Sequence, residues 1–198
     1  MQPGLYINTF IQKKGSNVVR VITGKARGTV LKTPDGNATR PTADRVKEAV
    51  FSMLQFEIQG AAVLDLFGGT GQLGIEALSR GAGSAVFVDA SEAACRLIAE
   101  NLKRTKLQDQ GTVVRSDYLV YLKRCSEKFD IVFLDPPYAE KYLENSLNMI
   151  TEIDILQTGG IIVTERPFGK ELTVEHEGFS RSKDYKYGST VITLYRKE

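Results

Sequence analysis

Two short stretches carry residues suited to group transfer. The first is Asp65-Leu66-Phe67-Gly68-Gly69-Thr70-Gly71-Gln72-Leu73-Gly74 and the second, seventy residues on, is Asp135-Pro136-Pro137-Tyr138. A carboxylate, two prolines and an aromatic ring in sequence suit work on an aromatic amine, whose lone pair is delocalised into its ring. A carboxylate and a backbone carbonyl that accept both amine hydrogens favour a pyramidal nitrogen, with its lone pair free to attack. The prolines withdraw two N–H donors and stiffen the turn, so its carbonyls serve as acceptors. Tyr138 offers a face on which an extruded base stacks, worth ~1–3 kcal/mol, and a structured nucleic acid must flip its base to reach it. Asp135, Pro136, Pro137 and Tyr138 are therefore the candidate catalytic residues, working by alignment without a covalent intermediate.

The glycine run reads as strand, turn, helix. The apolar Ala61-Ala62-Val63-Leu64 leads in, and Gln72 to Arg80 leads out with Leu73, Ala77 and Leu78 at helical spacing. Such a turn aims backbone N–H groups and a helix N-terminus at a ligand. Gly69-x-Gly71-x-x-Gly74 with Asp89 twenty residues on matches a dinucleotide fingerprint, so a nicotinamide-dependent oxidoreductase is one reading. Asp65 opposes it, because a carboxylate before the glycines repels a pyrophosphate. Four acids, Asp65, Asp89, Asp117 and Asp135, fall at or just past predicted strand ends, the edge where open α/β sheets bind ligands. A ligand with a positive centre, ribose hydroxyls and an exocyclic amine suits them, and S-adenosylmethionine (AdoMet) has all three. Asp65 would face its amino-acid end, Asp89 its ribose, and Asp117 its adenine, with Tyr118 beside the ring.

The elements that must position these residues follow in order. Val18 to Ile22 and Thr29 to Lys32 read as a hairpin bent at Gly24-Lys25-Ala26-Arg27-Gly28, with Lys25 and Arg27 on a projecting bend that can meet phosphates. A helix opens after Arg40-Pro41, with Thr42 as N-cap and Val46, Val50, Met53 and Leu54 on one face; Arg45 and Glu48 lie off that face. Apolar strands end at Asp89, Arg115, Leu134 and Glu165, alternating with helices around Leu97 and Leu147. That alternation predicts a parallel sheet covered on both faces. Phe179 to Tyr187 and Thr190 to Arg196 flank a turn and predict an antiparallel hairpin at the sheet edge.

Composition narrows the class. A chain of 198 residues, 42% hydrophobic and 25% charged, suits one good core. No apolar run nears the ~20 residues of a membrane helix, and the N-terminus lacks a signal-peptide plan, so a cytoplasmic protein is expected. Cys95 and Cys125, without a CxxC, give no metal-site pattern. Residues 1–47 carry nine Lys/Arg against Asp35 and Asp44, a surplus of seven, while the whole chain is only +2. A basic arm on a mildly acidic body points to a polyanionic partner.

From Arg20 onward the chain resembles the bacterial 16S rRNA guanine-N2 methyltransferase family RsmD, a class I AdoMet-dependent group. The resemblance lies in Arg20-Val21-Ile22-x-Gly24-Lys25-x-Arg27-Gly28, Arg40-Pro41-Thr42-x-x-Arg45-Val46-x-Glu48, Asp65 to Gly71, Leu73 to Ala82 and Phe133 to Tyr138. It implies an α/β, Rossmann-like class I methyltransferase fold: a mostly parallel seven-stranded sheet, an antiparallel C-terminal edge hairpin and a small N-terminal β-hairpin extension. The divisions are 1–19 of unassigned role, 20–39 the basic hairpin, and 40–198 the methyltransferase domain. AdoMet is expected at Asp65, Phe67, Gly68, Gly69, Gly71, Asp89, Ala90, Asp117 and Tyr118, with Arg40 and Thr42 nearby. RNA contacts are expected at Lys25, Arg27 and Arg45. The implied substrate is 16S rRNA within a small subunit or an assembly intermediate, modified by a monomer. Methylation of adenine N6 or cytosine N4 in DNA is the near alternative, and a non-enzymatic RNA-binding protein a more distant one. Two departures from the family pattern are Gly68-Gly69-Thr70 in place of Ala-Gly-Ser, and Asp89 in place of Glu.

Overall fold

A computed structural model describes residues 18–34, 44–137, 141–172 and 177–198. The elements run α1 (Asp44–Met53), β1 (Ala62–Asp65), α2 (Gln72–Ser79), β2 (Ser84–Asp89), α3 (Glu92–Thr105), β3 (Gly111–Arg115), α4 (Tyr118–Arg124), β4 (Phe129–Leu134), α5 (Tyr142–Ile153), β5 (Leu156–Pro167), β6 (Phe179–Arg181), β7 (Tyr185–Tyr187) and β8 (Thr190–Lys197). The sheet order is β3-β2-β1-β4-β5-β8-β6, with β7 also paired to β8. The first five of these are mutually parallel and β8 is antiparallel.

Side chains alternate between two cores, as the period-two geometry of a strand requires. Val63, Ala85, Phe87, Ile131, Phe133, Ile161 and Val163 pack toward α1, α2 and α3. Leu64, Val86, Val88, Val132, Leu134 and Ile162 pack toward α4 and α5. Because both faces are covered, the strands read as continuous apolar runs.

The predicted C-terminal hairpin forms with β8 as its inner strand, and its outer strand is broken. Arg181 pairs with Tyr195 and Tyr185 with Ile192, so four steps on the edge face three on β8. The extra residue is a bulge, which divides the edge into β6 and β7 and raises the count from seven strands to eight. Helix α4 is also absent from the sequence reading; its Tyr-Leu-Val-Tyr-Leu composition is as suited to a strand.

The N-terminal hairpin is held by one antiparallel bridge, Arg20 to Val30. It does not project as expected. Val19, Val21, Ala26 and Leu31 are buried in the same core as α1 and α2. Lys25 N–H donates to Ser79 O at 2.8 Å and Ala26 N–H to Ser79 Oγ at 3.0 Å. Gly24, at φ +88°, sits so close that an added Cβ would lie 1.8 Å from Ser79 O. The bend is therefore fastened to the end of α2. Glu76, fully buried on α2, completes the attachment by accepting from Ile22 N–H at 2.7 Å and Thr23 N–H at 3.0 Å.

Candidate active site

The four acids come together at one edge. Asp65 ends β1 and Asp89 ends β2; Asp117 follows β3 by two residues and Asp135 follows β4 by one. These four strands are neighbours in the sheet. Asp65 is level with Phe87 on one side and Phe133 on the other, and Leu66 N–H donates to Phe133 O. The glycine turn and the Asp135-Pro136-Pro137 loop thus leave adjacent parallel strands in the same direction. Asp135 is partly exposed, Pro136 buried and Pro137 exposed. Tyr138, Arg40 and Thr42 lie outside the described residues.

The turn itself is tightly bonded. Gly68 N–H donates to Val88 O at 2.9 Å and Gly71 N–H to Gly68 O at 2.6 Å. Gly69 and Gly71 hold φ of +53° and +78°, in the left-handed region open to glycine. A Cβ on Gly68 would stand 2.8 Å from Ile98, and one on Gly74 would stand 2.3 Å from Phe87. Those two glycines let helices pack on the sheet. At Gly69 an added Cβ meets nothing nearer than Phe67 O at 3.9 Å, so the space before the turn is open to a ligand. Asp89 links the turn to the next strand end: Oδ2 accepts from Gly69 N–H at 2.9 Å and Oδ1 from Ser91 N–H at 2.8 Å. Ala90, beside it, is exposed.

Asp65 is only 2% exposed, and its Oδ2 accepts from Gly74 N–H at 3.1 Å. Burial pushes its carboxyl up to about 7, the Gly74 bond opposes this, and Asp89 adds to it. In the ligand-free protein the folded state therefore keeps a proton that the unfolded chain releases above its ordinary value of 3.8. The associated stability is complete below that value and is lost as pH rises through about 7. Asp65→Asn keeps an acceptor for Gly74 and is expected to remove this slope. Urea unfolding from acid to pH 8 checks it; parallel profiles for the two proteins would contradict the assignment.

Asp117 caps α4, its Oδ1 accepting from Leu119 N–H at 2.9 Å and Val120 N–H at 3.2 Å. Tyr118 is buried, not an open ring face. Its centroid is 5.2 Å from Phe67 and 5.3 Å from Tyr142, and Phe67 is 6.0 Å from Tyr142. This trio joins the glycine turn to the helix that follows the Asp135 loop, so the two halves of the site share one packed support. Asn101, fully buried on α3, is a second support: Nδ2 donates to Thr70 O at 2.9 Å and to Lys32 O at 3.0 Å, and Oδ1 accepts from Lys32 N–H at 2.7 Å. The only sequence signal for Asn101 is an amide on the inward face of an apolar helix. Among the residues expected to meet RNA, Arg45 is exposed in the first turn of α1. Lys25 and Arg27 are exposed at the end of α2 far from Gly71, roughly 12 Å along that helix.

The chain is similar to known proteins over nearly its whole length. A family model described as "Conserved hypothetical protein 95" matches residues 19–196. Ribosomal RNA small subunit methyltransferase D of Escherichia coli (strain K12) is 33% identical over 184 residues, covering 93% of this chain and 92% of that one. The chain is a member of the RsmD methyltransferase family. The Bacillus subtilis (strain 168) protein YlbH is 38% identical over 182 residues, covering 90% of this chain and 99% of that one. The solved structure of the Escherichia coli protein yhhF superposes with a TM-score of 0.81 at 31% identity, covering 91% and 98% of the two chains. The RsmD-family fold is that of class I methyltransferases, which weighs against the nicotinamide reading of Gly69, Gly71 and Gly74. Among the described residues no helix is long and apolar enough to cross a membrane, and no His/Cys/Asp/Glu cluster could hold a metal ion.

Proposed function

We propose that this protein methylates the exocyclic N2 amine of a guanine in 16S rRNA, with AdoMet as donor and the small ribosomal subunit or an assembly intermediate as substrate. The observation that carries the reading is the exit of the glycine turn and of Asp135-Pro136-Pro137 from neighbouring parallel strands at one edge. The names of relatives that align over nearly the whole chain support rRNA as the substrate.

The residues present fit AdoMet. Open space before Gly69 admits a ligand to the backbone, and a cationic amino-acid end that pairs with the buried Asp65 carboxyl would displace the proton that burial favours there. Asp89 stands against Gly69 with both oxygens oriented by backbone N–H groups, suited to ribose hydroxyls. Phe67, Gly68, Gly71, Ala90, Asp117 and Tyr118 complete the proposed wall, and Arg40 and Thr42 are assigned to the same pocket. When bound, AdoMet supplies an electrophilic methyl group on a sulfonium.

The chain's own part is orientation. The Asp135 carboxylate and the Pro136 carbonyl accept the two amine hydrogens, which draws the nitrogen out of conjugation and directs its lone pair. Pro136 and Pro137 hold those acceptors rigid, and Tyr138 stacks on the flipped base. Arg45, Lys25 and Arg27 are assigned to the RNA backbone.

Incubation with labelled AdoMet and unmethylated small subunits tests this. Label in N2-methylguanine is expected. Label in duplex DNA instead, or calorimetric binding of NADH instead of AdoMet, would overturn it.

A further inference from the structure

Around the end of β5, the strand next to β4, the protein carries a groove of about 750 Å³, lined by Arg166, Phe168, Lys170, Arg181, Asp184 and Lys186 among others. Its position follows from register. Leu134 pairs with Thr164, so Asp135 and Phe168 both lie beyond the C-terminal ends of adjacent strands, β4 and β5. Phe168 stands four residues past Thr164, at the rim of the same edge.

Phe168 is 60% exposed, an unusual state for a large apolar ring. Its backbone is fixed, since Phe168 N–H donates to Ser189 O at 2.8 Å. The Lys186 ammonium sits 3.3 Å from the ring centroid and covers one face. Lys183 lies over Tyr185 at 5.4 Å. Segments 166–172 and 181–186 together hold five basic residues against Glu171 and Asp184. Asp184 is already engaged: it pairs with Arg166 and Arg181 and accepts from Thr193 Oγ1 at 2.7 Å. Its carboxyl is held below the ordinary range, burial opposing and the Thr193 and Arg166 bonds prevailing. The groove therefore presents lysines and an open aromatic face over a neutralised floor. An aromatic ring beside lysine ammoniums is what grips unpaired nucleotides, by stacking on the ring and by phosphate contact.

We infer that the Phe168–Lys186 face is an RNA-docking surface, which holds nucleotides flanking the flipped target by stacking on Phe168 and by phosphate contacts from Lys170 and Lys186, the two lysines that line it. The inference rests on the rRNA reading above. It differs from the N-terminal assignment in place: Lys25 and Arg27 lie at the far end of α2, whereas this face, like Asp135, lies at the edge where β4 and β5 end.

The experiment compares wild type, Phe168→Ala, Phe168→Tyr and Lys170→Ala/Lys186→Ala with labelled AdoMet and unmethylated small subunits, and measures cofactor affinity by calorimetry. The expected result is a KM for subunits raised about tenfold in Phe168→Ala, with kcat and cofactor affinity within about twofold. Phe168→Tyr restores the KM. The double lysine variant lowers the salt slope of binding to naked 16S rRNA by about two. Unchanged KM and salt slope in the variants, with an active wild type, overturn this inference and leave the rRNA reading standing. A wild type that transfers no label to rRNA overturns both. Weaker binding to intact subunits with unchanged binding to naked rRNA would indicate a ribosomal-protein contact and likewise overturn it.

Discussion

Asp135→Ala is expected to lower methyl transfer to RNA by a factor on the order of 10³ while AdoMet affinity stays within about twofold. Asp135 follows β4, one strand from the glycine turn, and the proposed cofactor contacts among the described residues lie at or just past the ends of β1, β2 and β3. Its carboxylate is assigned to the amine, which it meets only when the base is in place. Removal of an acceptor that acts on the reacting nitrogen lowers kcat and kcat/KM together and leaves cofactor binding alone. Asp135→Asn, which keeps one carbonyl acceptor but adds an N–H₂ donor, is expected to fall between wild type and alanine. Because Asp135 is only partly buried and follows the strand, neither variant should change the melting temperature much. Single-turnover transfer together with AdoMet titration checks this. Equal loss of cofactor binding and transfer would move Asp135 from the base side of the site to the cofactor side.

The second large effect concerns stability. Glu76→Ala is expected to cost about 3–5 kcal/mol. Glu76 and Lys47 are both fully buried. The Glu76 carboxylate accepts from Ile22 and Thr23 N–H and from Arg80 Nε at 2.8 Å, with Lys47 Nζ at 3.9 Å. Lys47 Nζ also donates to Arg20 O at 2.6 Å. Burial pushes the Lys47 ammonium below its ordinary pKa, and Glu76 acts against that. Without the carboxylate, two backbone N–H groups lose their acceptor and Lys47 becomes an unpaired buried cation, the costly half of a broken pair. Lys47→Met in the Glu76→Gln background should recover part of the loss, since the stranded charge is then gone. Urea unfolding of the single and double variants measures it. A loss below about 1 kcal/mol for Glu76→Ala would show that apolar packing and the bonds to Ser79 and Asn101 hold the N-terminal hairpin without Glu76.

What could be read from the chain itself was local. The strands that lead to Asp65, Asp89 and Asp135 are announced by an apolar run and a turn, because burial on both faces leaves few polar positions until the strand leaves the sheet. Gly69 and Gly71 were legible because a positive φ is a property of one residue. The parallel sheet followed from the alternation of strands and helices, and with it the edge where Asp65, Asp89, Asp117 and Asp135 had to meet.

The tertiary structure decided the pairings between distant residues. The helical spacing of Leu73, Ala77 and Leu78 does not single out Glu76; its partners at Ile22 and Thr23 are more than fifty residues earlier, and only the docked hairpin makes it a buried anchor. The same docking fastened the bend that carries Lys25 and Arg27 to Ser79, at the end of α2 away from the glycine turn. Tyr118, expected beside an adenine ring next to Asp117, is buried against Phe67 and Tyr142. Asn101 ties Thr70 to Lys32, and Lys186 covers Phe168, across separations no periodicity encodes. Local conformation is set by each residue's own sterics and its near neighbours. Which buried charge meets which donor, and which ring stays open, depends on how whole elements pack.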